Sequence, residues 1–163
     1  MGRNIVLINA LIGLSLARLF GGGAPDDSGA GVLVDGDGIA VYGVDVVSYH
    51  DLEPGEPAVE GSPEHSTRWR GAEWRFSSRE NLRRFEEDPE RFAPEYGGYC
   101  AWAMVDGDRV KVDPDAWTIR DSRLYLNYGD RIRTKWLKNA GELIRRADER
   151  WPEVRDELGG GSR

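Results

Sequence analysis

Two short segments constrain the fold of this chain more than any others: STRWRGAEWRFSS (residues 66–78) and AWTIRDSRLYLNYG (116–129). Each sets aromatic and β-branched residues on both sides of a two-residue turn, Arg70-Gly71 in the first and Asp121-Ser122 in the second. That pattern predicts two β-hairpins. Trp74 and Phe76 lie two apart and share one face of their strand. Trp117, Ile119, Leu124 and Leu126 are the corresponding strand residues of the second hairpin.

Each predicted hairpin runs into helical sequence. Ser77 stands three residues before Glu80, a capping-box spacing, and Leu82 and Phe85 follow at i, i+3 on one helix face. Asp88-Pro89 reads as an N-cap followed by a proline in the first helical position, with Phe92 as the buried anchor and Pro94 as the stop. Further on, Ile132 and Trp136 form an i, i+4 pair, and Leu143, Ala147 and Trp151 form a stripe that Pro152 is expected to end. Between the units, GYCAWAMV (98–105) is almost continuously apolar and rich in helix formers, which predicts a buried helix. The two hairpin-then-helix units share no residues that align usefully. The expected fold is therefore α+β: a small antiparallel sheet of two aromatic-rich hairpins packed with about four helices.

A length of 163 residues fits one domain. Arg3 precedes an apolar run from Ile5 to Ala17, the pattern of a signal peptide or membrane anchor over residues 1–20. The run is shorter than the ~20 residues of a spanning helix. The predicted location is exported or membrane-anchored, with a cytoplasmic protein as the alternative. Residues 21–38 are Gly-rich and read as a linker, with DGDG (35–38) as a turn. The domain is placed at 39–154 and a flexible tail at 155–163.

Acidic side chains outnumber basic ones 29 to 22, for a formal charge of −7. Nucleic acid is excluded as a partner, because binding phosphates needs a Lys/Arg surplus. The basic run RIRTKWLK (131–138) reads as a solvated helix face. Glu53, Glu56, Glu60 and Glu64 read as an exposed acidic loop, and Asp45 as the cap of a short helix.

The candidate chemistry centres on Cys100, the single cysteine, which follows Gly97, Gly98 and Tyr99. One cysteine forms no internal disulfide and no Cys-rich zinc site. Three readings stand. Cys100, His65 and Met104 could ligate a soft ion such as copper, with zinc as the other candidate; Met104 shares a face with Cys100 if the segment is helical. A second chain could complete such a site. Alternatively, Cys100 in a first helical turn would be an activated nucleophile, with His50 or His65 as base. Finally, free cysteine is among the most often buried residues, and Cys100 could fill a space among Tyr99, Trp102 and the hairpins.

Four stretches resemble one known family: YGVDVVSYH (42–50), GSPEHSTRWRGAEWRFSSRENLRRFEEDPERFAPEYGGYCAWA (61–103), DPDAWTIRDSRLYLNY (113–128) and KWLKNAGELIRRADERWP (135–152). They resemble, in order, the cysteine-poor, longer bacterial branch of the YHS domain proteins. The wider family resembles small metal-binding domains whose cysteine pairs hold the metal, and this chain has no Cys-x-x-Cys. The resemblance implies a non-enzymatic binding domain holding a metal ion or small ligand near the Gly-Gly-Tyr-Cys segment. Taken with the residue chemistry above, Tyr99 and Trp102 are the candidate ligand contacts, and Cys100, His65 and Met104 the candidate metal ligands. The alternatives are a thiol-dependent enzyme using Cys100, or a structural or interaction domain at a membrane. Many members of the longer branch look exported.

Overall fold

The computed structural model describes residues 31–159. Both predicted hairpins form. β1 (Ser62–Trp69) pairs antiparallel with β2 (Ala72–Phe76), and β3 (Asp113–Arg120) pairs antiparallel with β4 (Arg123–Asn127). Both turns hold two successive left-handed residues, Arg70-Gly71 (φ 48° and 71°) and Asp121-Ser122 (φ 51° and 61°). This is the type I′ geometry whose twist matches that of paired strands.

The hairpins are two separate two-stranded sheets and not one joint sheet. The outer edges of β2 and β4 are already occupied. Ala40 N–H donates to Glu73 O, and Glu73 N–H donates to Gly38 O, so residues 38–40 cover β2. Ala101 N–H donates to Leu126 O and covers β4. Each hairpin then buries its apolar face under its own helix. Phe85 of α1 (Arg79–Glu87) stacks among Trp69, Trp74 and Phe76, and Trp136 of α3 (Asp130–Leu137) stacks on Tyr125. The α+β class is thus met by two small sheets and four α-helices, the others being α2 (Pro89–Phe92) and α4 (Ala140–Gly159).

The two units repeat one plan at a step of 51 positions, from Ser62 to Asp113. β1, β2 and α1 reappear at that step as β3, β4 and α3. The register slip between Ser62 and Ser66 reappears between Asp113 and Trp117. The helix caps, Ser78 and Gly129, and the buried helix aromatics, Phe85 and Trp136, obey the same step. Of residues 62–85, only Pro63 and Thr67 keep their identity, as Pro114 and Thr118. The repeat is therefore one of backbone geometry and burial, and residue identity does not reveal it.

Before each hairpin lies a run of three left-handed residues: Val41, Tyr42 and Gly43 in the first unit, and Tyr96, Gly97 and Gly98 in the second. The fourth residue beyond Val41 is Asp45, and the fourth beyond Tyr96 is Cys100. Their N–H groups donate to Val59 O and Val110 O, on the chain leading into each hairpin.

Several expectations are corrected. GYCAWAMV forms no regular helix: a tight turn leads into a 3-10 turn, Ala103–Asp106, which Gly107 ends at φ 83°. Three left-handed residues just upstream and the Gly107 stop leave no room for helical propensity to act. Helix α1 is capped by Ser78, whose side chain accepts from Asn81 N–H, because Ser77 is engaged by Asp45. Pro152 lies inside α4. Trp151, Val154 and Leu158 pack on the second core cluster and carry the helix past the missing N–H. Residues 155–159, expected in the tail, belong to α4, and residues 160–163 lie outside the described residues.

The linker reading also gives way over residues 31–38. Val32 and Leu33 are buried in the core, and Leu33 N–H donates to Gly97 O at 2.8 Å. DGDG is a turn, as expected, in which Asp35 Oδ1 accepts from Asp37 and Ile39 N–H. Residues 21–30 and the proposed targeting segment 1–20 lie outside the described residues. Among the described residues no helix is long and apolar enough to cross a membrane.

Candidate functional site

The structure separates the residues that sequence grouped around Cys100. Cys100 is 1% exposed, and its Sγ lies 3.8 Å from the side-chain Oδ1 of the fully buried Asn127 at the end of β4. Cys100 belongs to one core cluster, with Trp117, Leu124 and Leu126. Met104 belongs to the other, with Tyr96, Tyr125 and Trp136, although its N–H donates to Cys100 O. His65 is half-buried on β1 and makes no hydrogen bond to the thiol. Among the described residues, no three His, Cys, Asp or Glu side chains are grouped to hold a metal. Copper or zinc does not fit Cys100, His65 and Met104. Cys100 also lacks the helix N-terminus that would activate a thiolate, since the segment is not a regular helix. Tyr99 is half-buried, with its phenol pKa raised by burial, and Trp102 is 38% exposed.

The corresponding place in the first unit explains what Cys100 does. Asp45 is fully buried there and accepts five hydrogen bonds. Its Oδ1 takes Val47 and Ser48 N–H, which is the cap predicted from sequence. Its Oδ2 takes Ser77 N–H, Ser77 Oγ and Asn81 Nδ2, at 2.8, 2.6 and 2.7 Å. A carboxylate thus ties the turn to the end of β2 and to α1. In the second unit Cys100, at the same place after the left-handed run, instead makes a thiol–amide contact with Asn127, the last residue of β4. Cys100 is a packing residue in this geometry.

The double glycine before it has a steric cause. A side-chain carbon at Gly97 would lie 1.6 Å from Gly31 O, and Gly97 and Gly98 have φ of 63° and 91°. The glycines let residues 31–33 cross the turn at backbone distance.

A cleft of about 360 Å³ opens elsewhere, where the first unit docks on the second. The first unit contributes Tyr49, His50, Leu52 and Pro54, and the second contributes Trp117, Thr118, Ile119, Arg133 and Leu137. The volume lies within the ~300–1,000 Å³ of small-molecule sites. Tyr49 and Trp117 stand with ring centroids 5.4 Å apart. Their polar ends are engaged outside the cleft: Tyr49 donates to Pro114 O and Trp117 Nε1 to Glu56 O, at 2.9 and 2.8 Å. Tyr49 is fully buried and Trp117 nearly so, and they form the floor beneath the cleft.

The polar groups of the lining are different. His50 Nε2 and Thr118 Oγ1 are buried and have no protein partner. Burial, reinforced by the Arg91 and Arg84 charges, lowers the His50 pKa against an opposing pull from Asp51. The ring is thus neutral near neutral pH and packs edge-on against Phe92. Arg133 gives Nη1–H to Trp117 O and Nε–H and Nη2–H to Asp130 Oδ1. Of its five N–H donors, two remain free. No acidic side chain lines the cleft.

The first unit carries a smaller counterpart of about 220 Å³. Its Thr67, Arg68 and Glu86 stand 51 positions before Thr118, Ile119 and Leu137, so both clefts occupy the seam between a hairpin and its helix. Only the second seam gains a further wall, from the loop carrying Tyr49 and His50. Sequence reasoning missed this site because its walls come from three distant segments. The one available signal was the Ser-Tyr-His ending of the short capped turn, which places one of only two histidines beside an aromatic ring. Tyr99 and Trp102, expected to contact a ligand, are not among the lining residues.

No family model, curated protein or solved structure matches the chain.

Proposed function

We propose that the protein is a non-enzymatic, YHS-like binding module that holds a small molecule in the cleft between its two hairpin units. The observation that carries this reading is a pair of unpartnered polar atoms, one on each side of the cleft. Buried polar atoms are nearly always hydrogen-bonded, and leaving one unpaired costs on the order of 1–3 kcal/mol. Four such side-chain atoms occur among the described residues, and two of them, His50 Nε2 and Thr118 Oγ1, belong to this cleft. Both atoms are buried beneath the lining, and a ligand whose entry shifts these two side chains enough to pair with them recovers that cost. Leu52, Ile119 and Leu137 supply apolar contact, and the concave mixed lining is the usual form of a small-ligand site. The N-terminal sequence pattern supports a protein that performs this role outside the cytoplasm or beside a membrane.

A fragment screen by ligand-observed NMR on the full chain tests the reading, beside two variants. Leu137 is 44% exposed at the cleft rim, so Leu137→Trp adds bulk there without entering the core. Fragments should bind wild type and Cys100→Ala alike and should be lost from Leu137→Trp. Binding lost from Cys100→Ala but kept in Leu137→Trp would move the site to the Gly-Gly-Tyr-Cys segment. A screen without any bound fragment would remove the binding-module reading.

A further inference from the structure

We infer that the ligand of this cleft is a small organic acid, a carboxylate carried on a compact aromatic or apolar body; this rests on the cleft being the binding site. The charge follows from the lining. Arg133 is the only ionised side chain in it, and that side chain is 21% exposed. Asp130, 74% exposed and outside the lining, pairs with two of the Arg133 N–H groups on the solvent side, so a ligand would share the guanidinium with one carboxylate. Two guanidinium N–H groups remain unassigned, in a fork whose geometry suits carboxylate oxygens. Thr118 Oγ1 can add an O–H donor. His50 can donate from its neutral ring. A cation would meet the Arg133 charge and no acidic side chain.

The body of the ligand follows from the other walls. Tyr49 and Trp117 are buried beneath the cleft, with their polar ends bonded elsewhere, and make its floor apolar. Leu52, Ile119 and Leu137 are aliphatic. A flat or branched apolar group fits such a surface, whereas a polyhydroxylated one would find its hydroxyls unpaired there. The chain as a whole carries −7, but ionic screening over ~8 Å at physiological salt leaves the local Arg133 field to decide the preference.

Three probes of one shape separate charge from fit: phenylacetate, phenylacetamide and the protonated amine phenethylammonium, each titrated calorimetrically into the full chain. Phenylacetate should bind tightest, about tenfold more tightly than the amide, as a charge-assisted bond exceeds a neutral one. Arg133→Gln should abolish that preference while phenylacetamide still binds, which also shows that the variant cleft is folded. Arg133→Lys should restore part of it. Equal binding of acid and amide, a preference for the ammonium, or acid binding unchanged in Arg133→Gln would each overturn the inference and leave the cleft a binding site. Failure of all three probes overturns it as well, while the fragment screen judges the binding-module reading independently.

Discussion

Asp45 takes the backbone amide and the hydroxyl of Ser77 on one carboxylate oxygen, at 2.8 and 2.6 Å. The same oxygen accepts Asn81 Nδ2, so one buried charge joins a turn, a strand end and a helix. Asp45→Ala removes the acceptor of five donors at once. The expected loss is roughly 3 kcal/mol, against about 1 kcal/mol for Ser77→Ala, where one hydroxyl bond disappears. Urea denaturation of both variants measures the difference. Equal losses would show that Asp45 is not the organising group.

At Gly97 the obstacle is backbone, which cannot swing aside as a side chain can. Gly97→Ala should cost about 3 kcal/mol or more, since the added carbon meets Gly31 O and the residue is left-handed. Gly36 is the control: nothing lies within 4 Å of its would-be side chain, and Gly36→Ala should be neutral or slightly stabilising. Thermal melts compare them, and a Gly97→Ala protein as stable as wild type would contradict the close crossing.

Cys100 should react with iodoacetamide only through opening of the core. Native labelling is expected to be slower than that of a free thiol by at least a hundredfold, and to accelerate with urea below the unfolding midpoint. Cys100→Ala should cost about 1 kcal/mol, for a small lost group in a packed site. Rapid native labelling would mean that the thiol is accessible.

The His50 ring should give the fold part of its acid sensitivity. Its folded pKa lies below the ordinary 6.5, first through burial and then through Arg91. The unfolded chain therefore takes the proton at a higher pH than the folded one. Stability from the neutral ring is complete above about pH 6.5 and is lost as pH falls below it. His50→Gln should flatten the stability profile between about pH 7 and 5 relative to wild type. Parallel profiles for the two proteins would exclude this contribution.

Local chemistry was legible where a single segment determines the outcome. Arg70-Gly71 and Asp121-Ser122 announced their turns, Asp88-Pro89 its helix start, and Asp45 its cap. Phe85 and Trp136 were legible as inward-facing from helical spacing. What escaped depends on distant partners. The edges of β2 and β4 are covered by residues 38–40 and Ala101, and that coverage split the expected sheet in two. Val32 and Leu33 looked like linker because their partner, the Gly97 turn, lies more than sixty positions away. The cleft escaped for the same reason, since Tyr49 and Trp117 meet only after both units have folded. The duplication escaped because burial and backbone geometry recur while residue identities do not.

The crossing at Gly97 also decides how the domain is moored. Gly31 sits with Trp151 and Arg155 of α4 beside it, and Leu33 is bonded to the Gly-Gly turn. The chain entering the domain is thus clamped before it reaches the first unit. A pull from that end loads the clamp first, and the hairpins and the cleft feel it only after the clamp has slipped. The double glycine works as strain relief, in the way that a grip on a cable spares the joint behind it.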